Sequence, residues 1–143
     1  MFQSRHTLCS HTYRAIDQVK LEIMMFNNIG WIVEAKIKKG QEQAFKSIVN
    51  EMVEVTSQKE TGTLNYQYYI SDNGKIIVYE HFKDVGAAHK HVDTWETYSE
   101  RWLSTAEPSR VVYLGDLPKD LQARHAGLTP HQYHTYAGFE RSH

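Results

Sequence analysis

The chain has 143 residues, of which 41% are hydrophobic and 23% charged, and its formal net charge is −1. This length and composition predict one globular domain with enough apolar residues for a core of its own. A nearly neutral charge without a cluster of Lys and Arg argues against a nucleic-acid partner. No apolar run approaches the roughly 20 residues that a membrane-spanning helix needs, so no membrane partner is expected.

The N-terminal segment carries no predicted chemistry. Cys9 is the only cysteine, and a single thiol without an internal disulfide is typical of a reducing compartment, so we expect a cytoplasmic protein. Residues 1–27 lack the apolar segment of a secretory signal and are rich in Ser, Thr, His and Arg up to Arg14. We interpret them either as an arm that packs on a partner subunit or as a leader before a natural start at Met24 or Met25.

The first predicted elements are a strand and an amphipathic helix. Residues 30–38 have the alternation of a β-strand, because one side would carry Trp31, Val33, Ala35 and Ile37 and the other Ile32, Glu34 and Lys36. From Gln41 to Glu60, apolar residues recur every three or four positions, which predicts a helix with one buried face. Gly62 follows as the expected helix terminator.

A β-hairpin is predicted next. Two runs rich in aromatic and β-branched residues, 64–70 and 76–82, flank the pair Asn73-Gly74, and Asn-Gly is a strong signal for a tight turn. Both faces of these runs are largely apolar or aromatic. The sheet is therefore expected to be covered on both sides.

A second long helical region follows the hairpin. Asp84 is a suitable N-cap, and the helical pattern continues to Trp102 and ends before Pro108. Asp93 and Glu96 resemble a capping box, so a second helix could restart there.

Shorter elements complete the chain. Residues 110–114 are predicted as a strand, 117–125 as a brief helix and 132–140 as an extended segment. The order strand, helix, strand, strand, helix, strand predicts an α+β fold of the ferredoxin-like (split βαβ) type, with an antiparallel sheet and helices on one face.

The predicted sheet has a second apolar face that these helices leave open. In a chain of this size, a second copy is the simplest cover, so we predict a homodimer with the two sheets packed face to face. The predicted division is an arm or leader at 1–27, a ferredoxin-like domain at 28–115 and a C-terminal extension at 116–143.

Two motifs carry a resemblance to a known family. The first is Gly-Thr-Leu-Asn-Tyr at residues 62–66, and the second is Glu-His-Phe at residues 80–82, followed by Ala87 and His91. Both resemble the antibiotic biosynthesis monooxygenase family, notably its quinol monooxygenases. The similarity covers about residues 28–114 and extends loosely into the tail, and it implies a dimeric α/β barrel.

The resemblance also implies an activity. Family members that oxygenate polyphenols use no flavin, haem or metal, because the deprotonated substrate itself donates an electron to O2. A cofactor-independent monooxygenase acting on a small quinol or polyphenol is thus expected. The haem-degrading branch of the family has other residues at the positions of Val33, His91 and Arg101, which argues against haem. The alternatives are a non-catalytic ligand-binding or stress-response dimer and, more weakly, a purely structural dimer.

Six residues are predicted to form the site. His91 is the candidate base because histidine titrates near neutral pH. Glu80 is the candidate polar orienter because a carboxylate on an apolar strand face needs a partner. The predicted pocket walls are Tyr66, Tyr68, Phe82 and Trp95. Structural alternatives stay open: a core histidine, a carboxylate paired across the dimer, and tyrosines that only pack in the sheet.

No metal site is predicted, although the chain contains nine histidines. His89 and His91 are two positions apart on a helix and point in different directions. His131 and His134 have no Cys or carboxylate at a suitable spacing. No Gly-rich phosphate-binding motif supports a nucleotide cofactor.

Overall fold

The computed structural model describes residues 28–125, 127–128 and 130–141. Residues 1–27, interpreted above as an arm or leader, lie outside the described residues. The elements are β1 Ile29–Ile37, α1 Glu42–Lys59, β2 Thr63–Ile70, β3 Lys75–Phe82, α2 Val85–Thr105, β4 Ala106–Leu114, α3 Lys119–Ala123 and β5 His131–Tyr133. The predicted α+β class and the order of the first six elements are confirmed.

The strands form one open sheet in the order β2-β3-β1-β4-β5. All neighbouring pairs are antiparallel except β4 and β5, which are parallel. In this register Trp31 of β1 pairs with Glu80 of β3 and with Tyr113 of β4, and Tyr66 of β2 also pairs with Glu80. Paired residues point to the same side of a sheet, so this row surrounds a carboxylate with aromatic rings.

The two long helices cover one face of the sheet. α1 buries Phe45, Ile48 and Met52 because these positions share one side of the helix. α2 begins after Asp84, whose carboxylate accepts a hydrogen bond from the Ala87 amide at 2.8 Å. The helices and the sheet therefore enclose the core as two layers.

Two apolar clusters fill the space between these layers. One contains Trp31 and Tyr113, and the other contains Phe45 and Trp102. Val33 of β1 packs against both clusters. The candidate site lies where they meet.

α2 runs without interruption from Val85 to Thr105, so the predicted restart at Asp93 is wrong. Asp93 lies in the middle of the helix, and its carboxylate accepts a hydrogen bond from Arg124 Nη2 at 2.6 Å. The Asp93 carboxylate, predicted from the local pattern to cap a new helix, instead binds Arg124 from a distant part of the chain.

β4 begins at Ala106, before the predicted residue 110, and it includes Pro108. Proline lacks the amide hydrogen of a regular strand and is tolerated where pairing is irregular. Pro108 pairs with Ala35 beside a register shift in β1. Further along the chain, α3 is shorter than the predicted helix 117–125, and β5 covers only the start of the predicted segment 132–140.

The other face of the sheet, here called the open face, has no helix of the described residues over it. It is defined by Ile32, Tyr69, Ile77 and Tyr79. Ile77 and Tyr69 pair with each other and are 46% and 55% exposed. None of the described helices combines the length and apolarity needed to cross a bilayer.

Candidate active site

A cavity of about 300 Å³ lies between the sheet and α2. Its apolar walls come from both core clusters and from the segment after α3. They include Trp31, Val33, Val78, Val111, Trp95, Trp102, Leu103 and Leu128. Binding sites for small molecules usually measure about 300–1,000 Å³ and are mostly apolar, so this cavity is suited to one small ligand.

Five polar side chains also line the cavity, namely Tyr68, Glu80, His91, Arg124 and His125. A few polar groups that converge on an apolar space are the usual means of orienting a ligand. Three of the five were predicted from the sequence, as was the wall residue Trp95.

His91 lies between two buried carboxylates. Its Nδ1 is 2.8 Å from Glu60 Oε2, and its Nε2 is 3.3 Å from Glu80 Oε2. The side chains of Glu60, His91 and Glu80 are only 1%, 4% and 10% exposed. These three residues are called the buried triad.

Three elements bring the triad together. Glu60 follows the last residue of α1, and its amide donates to the carbonyl of Thr56 at 2.9 Å. Thr63 at the start of β2 donates its hydroxyl to Glu60 Oε2 at 2.7 Å. His91 comes from α2 and Glu80 from β3. The end of one helix thus meets the buried side of the other above the sheet.

The two carboxylates determine the charge of His91. Burial alone lowers the pKa of His91, but the negative charge of Glu80 and the hydrogen bond to Glu60 outweigh burial and raise the pKa to about 9. Burial raises the pKa of Glu60, but the hydrogen bond from His91 and its positive charge reverse this effect, so the pKa is lowered. His91 is therefore an imidazolium at neutral pH.

Tyr66 and Phe82 contact His91 and do not line the cavity. The centroid of the His91 ring is 4.8 Å from that of Tyr66 and 5.2 Å from that of Phe82. The hydroxyls of Tyr66 and Tyr68 are 2.8 Å apart. Of the four predicted wall residues, Tyr68 and Trp95 reach the cavity, while Tyr66 and Phe82 enclose the imidazole.

Arg124 fastens the segment after α3 to α2. Its Nη2 is 2.6 Å from Asp93 Oδ1 and 3.1 Å from Glu96 Oε1, and its Nη1 donates to the carbonyl of His89 at 3.1 Å. Sequence reasoning did not identify Arg124 as a site residue. Its partners Asp93 and His89 are 31 and 35 residues away, so no local motif links them.

His125 is a second imidazole at the cavity, also missed by sequence reasoning. Its ring packs against Trp31 and Tyr113, with centroid distances of 4.5 and 5.3 Å. Burial lowers the pKa of His125, which keeps it neutral at neutral pH. Its Nδ1 is buried and makes no hydrogen bond of acceptable geometry with any described residue. The cavity therefore has one charged and one neutral imidazole.

No metal centre is found in the described part of the chain. There, no group of three or more His, Cys, Asp or Glu side chains is arranged to hold a metal ion. In the buried triad the two carboxylates lie at opposite nitrogens of one ring, with a hydrogen bond at Nδ1 and an ion pair at Nε2.

The model of the antibiotic biosynthesis monooxygenase family matches residues 29–107, more than half of the chain. The chain belongs to this family. All three members of the buried triad lie within the part matched to the antibiotic biosynthesis monooxygenases. Arg124 and His125 lie beyond it, so the family pattern does not account for that wall of the cavity.

Solved structures share the fold. MupZ from Pseudomonas fluorescens matches with a TM-score of 0.66 and 18% identity, over 80% of this chain and 95% of its own. A putative antibiotic biosynthesis monooxygenase from Caulobacter crescentus has a TM-score of 0.58 and 19% identity, over 70% of this chain and 99% of its own. SnoaB from Streptomyces nogalater, described as a cofactor-independent oxygenase, has a TM-score of 0.53 and 5% identity, over 65% of this chain and 96% of its own. No curated protein sequence matches the chain.

Proposed function

We propose that this protein is a monooxygenase that oxidises a small quinol or polyphenol with O2 and needs no added cofactor. The observation that carries the proposal is the position of the buried triad at the edge of an aromatic cavity, in a member of this family. The cavity brings a proton acceptor and a buried imidazole to one small apolar space.

The cavity suits a phenol in size and chemistry. A cavity of about 150 Å³ is enough to hold benzene, so about 300 Å³ has room for one substituted ring. The indoles of Trp95 and Trp102 form one wall, with ring centroids 5.4 Å apart, and Val33 and Val78 form the opposite wall on the sheet. The Tyr68 hydroxyl is available to orient a phenol oxygen.

The first chemical step is removal of the phenol proton. Glu80 lines the cavity and accepts this proton, and the imidazole of His91 lies 3.3 Å from its carboxylate. His91 thus shares the predicted role of base with Glu80, because a histidine with a pKa near 9 enters the reaction already protonated. General acid–base catalysis of this kind contributes about 10²–10⁴-fold to a rate.

The phenolate then supplies the electrons. It transfers one electron to O2, which yields an aryloxyl radical and superoxide. These combine at a ring carbon, and return of the proton gives a hydroperoxide. Loss of water leaves a new carbonyl on the ring. Overall, a hydroquinone and O2 give a hydroxyquinone and H2O, and each product receives one of the two oxygen atoms of O2.

We also propose that two copies associate through the open face and close the barrel. The sheet of one chain is not closed, and Ile77 and Tyr69 are about half exposed on that face. Burying apolar area of this kind is the main favourable contribution to protein association. The domain of residues 28–115 would then supply the dimer interface.

Oxygen uptake tests the activity. Wild type is assayed with a panel of hydroquinones beside His91→Ala and Glu80→Gln, and circular dichroism verifies that each variant is folded. We expect both variants to lose about 10²-fold or more of the turnover, because each removes part of the proton-accepting unit. Glu54→Gln is the matched control, since Glu54 is exposed on α1 and bonds only to Gln58 among the described residues. Quinone binding without oxygen uptake in wild type would favour the non-catalytic ligand-binding alternative.

A further inference from the structure

The buried triad connects two different spaces in the molecule. Glu80 lines the cavity between sheet and α2, whereas Glu60 lines a separate hollow of about 490 Å³. That hollow is flanked by the exposed residues Ser57, Thr61 and Leu64. His91 alone separates the two carboxylates, with one ring nitrogen towards each.

We propose that the triad is a proton relay with its exit at Glu60. When Glu80 takes a proton from a phenol in the cavity, His91 releases its Nδ1 proton to Glu60 Oε2, which passes it to water in the hollow. Glu60 is therefore a positioning and relay residue, because it does not touch the ligand. This inference rests on the proposed function in one respect, namely that the ligand is an acidic phenol.

Every proton and charge in this route is accounted for. Before the step, the triad holds two carboxylates and one imidazolium. After it, Glu80 is neutral, His91 is neutral with its proton on Nε2, and Glu60 is ionised again once the proton has left. The triad carries one net negative charge in both states, and the phenolate in the cavity adds one negative charge when the proton leaves through the hollow. The reverse movement restores the proton when the hydroperoxide forms.

The surroundings of Glu60 suit a group that accepts and passes on a proton. Thr63 donates its hydroxyl to Glu60 Oε2 at 2.7 Å, and the Thr56 hydroxyl lies 3.5 Å from Oε1. The carboxylate is held in place by these groups and by His91, yet it borders a hollow that water can enter. Glu80 is the only carboxylate among the described residues that line the apolar cavity, so Glu60, on the other side of His91, is the nearest outlet.

Stopped-flow mixing with 4-nitrophenol tests the relay without O2. Phenolate absorbance reports loss of the phenol proton, and a pH-indicator dye reports its appearance in solution. Glu60→Gln keeps an oxygen that accepts the Nδ1–H bond but cannot take the proton. We expect it to slow phenolate formation by about tenfold or more at unchanged nitrophenol affinity, because proton-transfer groups contribute at least that much. Glu54→Gln should match wild type.

An NMR measurement on wild type makes the result independent of how Glu60→Gln folds. In ¹⁵N-labelled protein, formation of bound nitrophenolate should convert His91 from imidazolium to neutral imidazole. The relay is overturned if His91 stays doubly protonated while phenolate forms, if Glu60→Gln reacts as fast as wild type, or if no phenolate forms. Lack of oxygen uptake with intact proton release would instead count against the monooxygenase and leave the relay standing.

Discussion

His91 is surrounded by titratable groups from every element packed against it. Glu60 faces it from the end of α1, Glu80 from β3, Tyr66 from β2 and His125 from the segment after α3. The carboxylates raise the pKa of His91 from 6.5 to about 9. At 1.36 kcal/mol per pKa unit, a shift of this size corresponds to about 3 kcal/mol of stability.

This stabilisation should depend on pH. Because the folded-state pKa is the higher one, the contribution is fully present below pH 6.5 and is lost as the pH rises through about 9. We expect urea unfolding of wild type to show this loss between about pH 6 and pH 9.5, and His91→Gln to lack it. An equal pH dependence in both proteins would show that His91 is not the titrating group.

At the scale of elements, Arg124 follows α3 and binds to α2 beside the cavity. It bonds to exposed carboxylates on α2, and exposed ion pairs contribute about 0–1 kcal/mol, so Arg124→Gln should barely change the stability. The variant should instead loosen one wall of the cavity. We expect a severalfold weaker affinity for 4-nitrophenol by titration, since ligand binding would then have to order the segment after α3.

Arg101→Gln is the matched control for this prediction. Arg101 is also exposed and pairs with Glu51 of α1 at 2.8 Å, but it does not line the cavity. Its loss should leave nitrophenol affinity unchanged. If both variants bind as wild type does, Arg124 has no part in forming the site.

At the scale of the whole molecule, the open face is the test of assembly. Ile77→Lys places a charge at the centre of the open face, opposite Glu34 of β1. This charge can stay hydrated only if no second chain covers the open face. We expect wild type to sediment as a pair of 16.7 kDa chains and Ile77→Lys as single chains. Val53→Lys, at an exposed position on α1, should remain paired. Single wild-type chains at working concentrations would contradict the proposed dimer.

The sequence predicted the fold because its signals are local. Periodicity of three to four residues identified α1, and the Asn-Gly turn between alternating runs identified the hairpin of β2 and β3. The order of these elements then restricts the sheet to few topologies. The same local pattern misplaced the middle of α2, since Asp93 is bound by Arg124 from a distant part of the chain.

For the candidate site, the sequence identified His91 and Glu80 by residue type, position and family resemblance, and their roles remain predictions. It did not identify Glu60, which reads as an ordinary helix end, or His125, which lies beyond the family pattern. Only the tertiary structure shows that Glu60 and Glu80 bind opposite nitrogens of one imidazole. The physical reason is that charge, burial and pKa arise from groups far apart in the chain, whereas helix and strand patterns arise from neighbours.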